Sequence, residues 1–305
     1  MGVMAGLEQS WRQGFVDTAQ RIWTHPYTRG QRGRRLGRWV TWQVWQRTVR
    51  RPWTVTMHGD VRVVCHPHDM VASMALYHGL YDVEEMSFLL AWLRPGDTFV
   101  DVGANIAPYS LLATSLDGVR AVAFEPDDRA RGRAVANAEL NAVQDRLALV
   151  PMAVGDHDGQ ALFTDDHLPT SHLVDAGNGD GSGAAREVPV VRLDSYDADV
   201  DGAPALGRVG LIKVDVEGHE LAVLAGAAGV LARDRPALVV EVNEPVAPLV
   251  VWIEAQGYVP VHYDRDRREL VRRDPPTERG GNVLLVPDLD EARARLRGRA
   301  EGNPS

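Results

Sequence analysis

From about Val83 onward, short apolar runs alternate with helical sequence, and this alternation constrains the fold more than any other feature of the chain. "EEMSFLLAWL" reads as an amphipathic helix stopped by Pro95 and Gly96. The apolar runs Thr98–Val102, Arg120–Glu125, Leu147–Met152, Val209–Val214 and Ala237–Val242 follow, with helical segments between them. Such a series indicates an α/β domain, a parallel sheet with helices on both faces. Two further strands, near Tyr258–Tyr263 and Asn282–Val286, finish it. The charged connection between them, "DRDRRELVRRDPPTERGG", is expected to include a hairpin. The expected division is an N-terminal helical and hairpin segment (1–82), a main domain (83–290) and a charged C-terminal tail (291–305), a short helix that frays.

Charge narrows the partners. Residues 1–55 hold ten Arg against Glu8 and Asp17, a net of about +8, and the whole chain is −9, so the remainder is about −17. An acidic body argues against a nucleic-acid groove running across it. The single cysteine, Cys65, allows no intrachain disulfide and fits a reducing compartment. No apolar run reaches membrane-spanning length and the N-terminus lacks a signal-peptide core, so a cytoplasmic protein without stable membrane insertion is expected. The oligomeric state stays open.

In "RRLGRWVTWQVWQRTVRR" Leu36, Val40 and Val44 fall on one helical face, with Trp39 and Trp42 nearby. Such a helix either lies on an anionic membrane surface or packs its stripe on the main domain; the second reading is favoured, because a basic helix suits an acidic body. "WTVTMHGDVRVVCHP" reads as a hairpin around a His-Gly-Asp turn. The cluster "CHPHD" (Cys65, His66, His68, Asp69) fits no strong zinc spacing and is set aside. "TDDHLPTSHLVDAGNGDGSGAAREV" is too rich in Gly, Asp and Ser for a compact element, so a long loop is expected over 165–186, either a lid or an insertion without a role.

The chemistry concentrates where "FVDVGANIAPYS" joins a strand, an acid, a glycine turn and a helix. Ligands of open α/β sheets sit at the carboxyl ends of the strands, near the switch point of strand order. A dinucleotide would want Gly-x-Gly-x-x-Gly, but Asn105 and Pro108 occupy the later positions; a phosphate-binding loop would want Gly-Lys-Ser/Thr, which is absent. S-adenosylmethionine has a cation and a ribose instead. Asp101 suits its positive charge, and Glu125, ending the next strand in "AVAFEP", suits the ribose hydroxyls. An acid at a strand's open end supports no core, so loss of Glu125 is expected to leave the fold little changed.

Together "FVDVGANIAPYS", "AFEPD", "ANAELN", "PMAVGD" and "LIKVDVEGHELAVLAGA" resemble the FkbM-type family of S-adenosylmethionine-dependent methyltransferases, from about His25 to Val286. Ala107 stands where that family usually has glycine. The resemblance implies the class I methyltransferase fold, a Rossmann-like seven-stranded sheet whose last strand is antiparallel. It implies S-adenosylmethionine as methyl donor, S-adenosylhomocysteine as product, and transfer to a hydroxyl of a sugar, glycoside or other secondary metabolite. Asp101, Gly103, Asn105, Ser110, Glu125, Met152, Ala153 and Asp215 are the cofactor-binding candidates it carries over. The 1–82 segment and the 165–186 loop would then build the acceptor side. N- or C-methylation, and a module that has lost catalysis and binds a membrane or partner, are the alternatives.

In "LIKVDVEGHE", strand alternation would turn Lys213, Asp215 and Glu217 to one side if the strand persists that far, and His219 would open the next helix. These four are the catalytic candidates, with His219 as proton acceptor. Lys213 reads equally well as an ion-pair partner of Asp215 or Glu241, and Glu217 as an acid favouring the helix N-terminus. Ser171, His172, Glu241 and Asn243 are the acceptor-binding candidates. Asp215, Glu241 and Asn243 are also oxygen donors of the kind Mg²⁺ takes; the plainer reading is a hydrogen-bonded acid pair.

Overall fold

A computed structural model describes residues 17–25, 28, 30–67, 69–164, 173–174, 185–196, 205–243 and 245–302. Two compact units divide the chain between Val83 and Glu84.

The first unit has helix α1 (Arg32–Thr48), a hairpin of β1 (Trp53–His58) and β2 (Val61–Cys65), and helix α2 (Met70–His78). The hairpin turns at Gly59 and Asp60, with His58 facing Val61. Asp69 caps α2, its side chain accepting from the N–H of Ala72 at 3.0 Å, which gives the acid of "CHPHD" a structural task. The face that α1 buries is not the expected one. Arg35, Trp39 and Trp42 are buried, while Val40 and Val44 are 44% and 56% exposed. Two indoles remove more apolar area from water than two valines, and Trp42 packs against Trp53 with ring centroids 6.1 Å apart. The helix therefore turns about its axis to bury tryptophan.

Helix α3 (Val83–Trp92) starts at the boundary and, but for Val83, belongs to the second unit. That unit's main strands are β3 (Thr98–Val102), β4 (Arg120–Phe124), β5 (Leu147–Val150), β10 (Val209–Val214), β11 (Ala237–Glu241), β12 (Val259–Asp264), β13 (Glu269–Arg272) and β14 (Asn282–Val286). Among the described residues these form one sheet in the order β13-β12-β14-β11-β10-β3-β4-β5. Strands β5, β4, β3, β10 and β11 are mutually parallel, and β14 runs antiparallel to both β11 and β12. The seven-stranded pattern is thus present. The charged connection adds β13 as an eighth strand, paired with β12 as a hairpin. The chain proceeds outward from β3 through β4 to β5, then returns to β10 on the other side of β3. The switch point of strand order lies between β3 and β10.

A second, smaller sheet was not expected. Strands β6 (Ala153–Val154), β7 (Gly159–Thr164), β8 (Leu173–Val174) and β9 (Ala185–Val191) order as β6-β9-β7-β8. The stretch read as one uninterrupted loop is thus bounded and interrupted by strands. Phe163, Val188 and Val190 bury a small core there, which apolar alternation in "AREVPVV" encodes despite the Gly-rich surroundings.

Helix α9 (Leu289–Gly302) is the charged helix expected of the tail, but its first turns are docked. Ala292 and Leu296 are buried. Arg295 pairs with the fully buried Asp97, donates to the carbonyl of Trp92 at 3.1 Å and lies over the Trp92 ring at 4.8 Å. The tail is docked because one of its arginines answers a buried carboxylate. Arg295→Ala is expected to destabilise the protein by about 1.5–3 kcal/mol, the range for a hydrogen bond to a charged group; chemical denaturation measures this, and an unchanged midpoint would return the helix to a loose tail.

Candidate functional site

The site is built on the carboxyl ends of β3, β4, β10 and β11. Asp101 lies in β3 one residue before its end and is 1% exposed. Ser110, from α4 (Pro108–Thr114), donates to its Oδ2 at 2.6 Å. Its other oxygen, Oδ1, is buried without a partner. Burial pushes this carboxyl up, against the Lys213 ammonium and the Ser110 hydroxyl. Ser110 is itself fully buried, so it acts through Asp101.

The turn after β3 leaves room for no side chain at its first position. Gly103 has φ +78, and a Cβ there would lie 1.8 Å from the carbonyl oxygen of Asp215. The N–H groups of Gly103 and Ala104 both donate to the carbonyl of Phe124, at 3.0 and 3.1 Å. Asn105 (φ 52) and Ala107 (φ 62) are left-handed, a conformation that glycine adopts at less steric cost. Asn137, from α5 (Asp128–Asn141), holds the turn from behind, its amide donating to the carbonyl of Ile106 at 3.0 Å.

Glu125 closes the far side of this turn and is 7% exposed. Its Oε2 accepts the N–H of Asn105 at 2.7 Å and its Oε1 the N–H of Asp127 at 2.8 Å. Burial pushes the carboxyl up to about 7, against those two hydrogen bonds. Glu125 supports no apolar core, as expected, but it also ties two loops together. Arg186 on β9 donates to the neighbouring carbonyl of Pro126 at 2.5 Å, joining the smaller sheet to this corner. Met152 is partly buried against the main core. The Ala153 methyl packs into the core of the smaller sheet.

Lys213 stands beside Asp101 in the parallel register of β10 and β3. It is 5% exposed, pairs with Asp215 Oδ2 at 2.6 Å and lies 5.0 Å from the Tyr109 ring centroid. Of the two readings of Lys213, the geometry shows the ion pair with Asp215. Strand β10 stops at Val214, so simple alternation does not reach Glu217. It arrives instead through a left-handed residue, φ 51, followed by Gly218 at φ 99. There its Oε2 accepts from the Asn243 amide at 3.3 Å, and Glu241 Oε2 accepts from the same nitrogen at 2.6 Å. Glu241 also shares a hydrogen bond with Asp215. Lys213, Asp215, Glu241, Asn243 and Glu217 thus form one connected chain.

Two of these carboxyls part in opposite directions. Burial pushes Glu241 up to about 9, and its hydrogen bond to Asp215 and the charges of Asp215 and Glu217 add to this. Burial acts upward on Asp215 too, but the Lys213 charge and hydrogen bonds from Glu241 and Lys213 outweigh it and hold Asp215 below its ordinary value. Glu241 keeps a proton and Asp215 is ionised. That arrangement is the hydrogen-bonded acid pair of the plainer reading. Among the described residues no group of three or more His, Cys, Asp or Glu is placed to hold a metal ion. Asp215 and Glu241 share a hydrogen bond, and Lys213 pairs with Asp215.

His219 is the N-cap residue of α6 (Glu220–Ala225), without a side-chain capping bond. His219 lies near Asp156, whose carboxyl is held low first by a hydrogen bond from His157. Ser171 and His172 lie outside the described residues, as does most of the 165–186 loop. Sequence reading singled out neither Asn137 nor Tyr109; both sit inside the quoted motifs, but their tasks need the tertiary fold.

A model of the FkbM methyltransferase domain matches residues 101–260. The 31-O-demethyl-FK506 methyltransferase FkbM of Streptomyces tacrolimicus is 32% identical over 163 residues, 44% of this chain and 60% of that relative. The match therefore spans less than two thirds of that relative's length. Among solved structures, the methyltransferase FkbM of Methylobacillus flagellatus is similar at 18% identity and a TM-score of 0.43, covering 71% of this chain and 52% of the other. A Streptococcus pneumoniae structure described as a putative tRNA (m1A22) methyltransferase is similar at 14% identity and a TM-score of 0.38, covering 72% and 79%.

The raised Glu241 carboxyl makes stability depend on pH. The unfolded chain releases this proton near the ordinary value of 4.5, the folded chain near 9. Between these limits the folded state binds more protons, so this group's contribution falls as pH rises and levels off above about 9. In Glu241→Gln that decline should flatten, as read by denaturant midpoints across pH. An identical pH dependence in the variant would mean that Glu241 is ionised in the folded protein.

Proposed function

Because the chain belongs to the FkbM methyltransferase family, we propose that it transfers a methyl group from S-adenosylmethionine to a hydroxyl of a small secondary-metabolite acceptor. The observation that carries this reading is the unpartnered buried oxygen of Asp101 at the switch point, one strand from the Glu125 carboxylate. A buried acceptor atom without a donor is costly, and a cationic ligand with hydroxyls answers both acids. The named acceptor of the Streptomyces relative, an O-demethyl compound, supports oxygen as the methylated atom.

S-adenosylmethionine supplies a methyl group already activated on a sulfonium. What the chain must add is binding, alignment and a place for the proton. Asp101, held by Ser110, offers its second oxygen to positive charge. Glu125 offers the remaining lone pairs of a carboxylate that already fixes the Asn105 turn. Gly103 lets that turn lie against Asp215, so the donor and acceptor halves of the site meet at one backbone contact. Asp215 is ionised and partly exposed, and we assign it the hydroxyl proton. Lys213 holds Asp215 in place. The Glu84–Ser305 unit has a formal net charge of about −15, which favours a small molecule over a nucleic acid as acceptor.

Calorimetry with S-adenosylhomocysteine tests the donor half. Asp101→Asn and Glu125→Gln should each weaken binding by about 1.5–3 kcal/mol. Affinity should also fall as pH drops below about 7, where Glu125 takes up a proton, and this dependence should vanish in Glu125→Gln. Full affinity in both variants would remove the two acids from the donor site. Mass spectrometry of hydroxylated candidates incubated with S-adenosylmethionine tests the acceptor half.

A further inference from the structure

We propose, independently of the methyl-transfer reading above, that the outward face of α1 is a docking surface for an anionic phospholipid membrane. Among the described residues no helix is long and apolar enough to cross a membrane, so the contact is peripheral.

Helix α1 buries one side and leaves an apolar line on the other. Arg35, Trp39 and Trp42 form the buried side. Opposite them, Gly33, Gly37, Val40 and Val44 recur at intervals of three or four and are exposed. The two valines are thus an aliphatic pair, one turn apart, facing water. Trp23, on the helical stretch 17–24, is exposed as well, with the Arg32 guanidinium 5.4 Å from its ring centroid. Valine, tryptophan and arginine together suit the boundary of a bilayer. Methyls and rings enter the edge of the acyl region, and guanidinium groups reach the phosphates on their flexible stems.

Charge selects the partner. No Asp or Glu occurs between Asp17 and Asp60, whereas nine Arg do. Arg34, Arg47, Arg50 and Arg51 are exposed. Two features of α1 are electrostatically unfavourable to the helix, and negative charge offsets both. Its first turn holds Arg32, Arg34 and Arg35 and no acid, at the positive end of the helix dipole. Arg34 and Arg38, four residues apart, repel each other; burial first, and then the Arg34 charge, hold the Arg38 guanidinium below its ordinary value. A second copy of the chain, bound through the same face, would set arginine against arginine. A nucleic acid would answer the arginines but place Val40 and Val44 against phosphate. An anionic bilayer answers both, with phosphates for the arginines and acyl chains for the valines.

The test is cosedimentation of the full chain with two kinds of vesicle, phosphatidylcholine alone and equal parts phosphatidylcholine and phosphatidylglycerol, at rising salt. Wild type is compared with Val40→Ser/Val44→Ser and with Arg34→Gln, and melting temperature and oligomeric state are measured for each. Wild type should bind the anionic vesicles about tenfold or more tightly than the neutral ones, and the difference should shrink as salt rises. The valine pair should weaken binding to anionic vesicles by about fivefold or more, through lost apolar burial. Arg34→Gln should weaken it by about fivefold, the effect of one basic residue near an anionic leaflet. It should melt no lower than wild type, because it removes a repulsion from Arg38, and it decides the matter if the valine variant does not fold. Equal affinity for the two vesicles, or binding to neither, would overturn the proposal. So would undiminished binding of the valine variant, which would mark a site for polyanions such as nucleic acid. A wild-type dimer that the valine pair dissociates would overturn it too, making the face an interface between copies.

Discussion

Among the described residues, the tightest backbone approach is the passage of Gly103 against the carbonyl of Asp215. A β-carbon at Gly103 would lie 1.8 Å from that oxygen, so no other residue fits without moving β3 or β10. The contact also sets the order of everything around it. It brings the turn after β3 onto the end of β10 at the switch point of the sheet, and it leaves Asp101 and Lys213 side by side in register. Glu125 and Asn137 then hold the turn from two further directions through backbone hydrogen bonds. The acids of the site are thus fixed by strands and main-chain contacts.

Charge within the site is arranged in the same economical way. Five carboxyls, Asp101, Glu125, Asp215, Glu217 and Glu241, gather near one lysine. They could not all ionise in a partly buried setting. Lys213 neutralises Asp215, a retained proton neutralises Glu241, and Asn243 bridges Glu241 and Glu217. The result is an ionised Asp215 beside a neutral Glu241, two carboxyls driven apart by their surroundings, which is how a site assigns separate proton roles.

Much of this was legible in the sequence, for a physical reason. Buried parallel strands need unbroken apolar runs, and their ends need special residues, so Asp101, Gly103, Glu125 and Asp215 announce themselves by position. What escaped depends on distance in space. The inward face of α1 was decided by Trp42 meeting Trp53, where local periodicity favoured the Val40 and Val44 face. The docking of α9 depends on Asp97, 198 residues from Arg295. Strand β9 was hidden because its partners, β6 and β7, are short and its flank is rich in glycine. Glu217 meets Asn243 through a left-handed turn after the strand has ended, which alternation along the strand does not describe.

The central claim is that the ends of β3 and β4 bind the methyl donor through Asp101 and Glu125. A crystal structure of the chain with S-adenosylhomocysteine tests it most directly. The account predicts the ligand against the Gly103 turn, its ribose hydroxyls on Glu125 and its amino group on the oxygen of Asp101 that now lacks a partner. A ligand bound elsewhere, or one that leaves both carboxylates untouched, would contradict it.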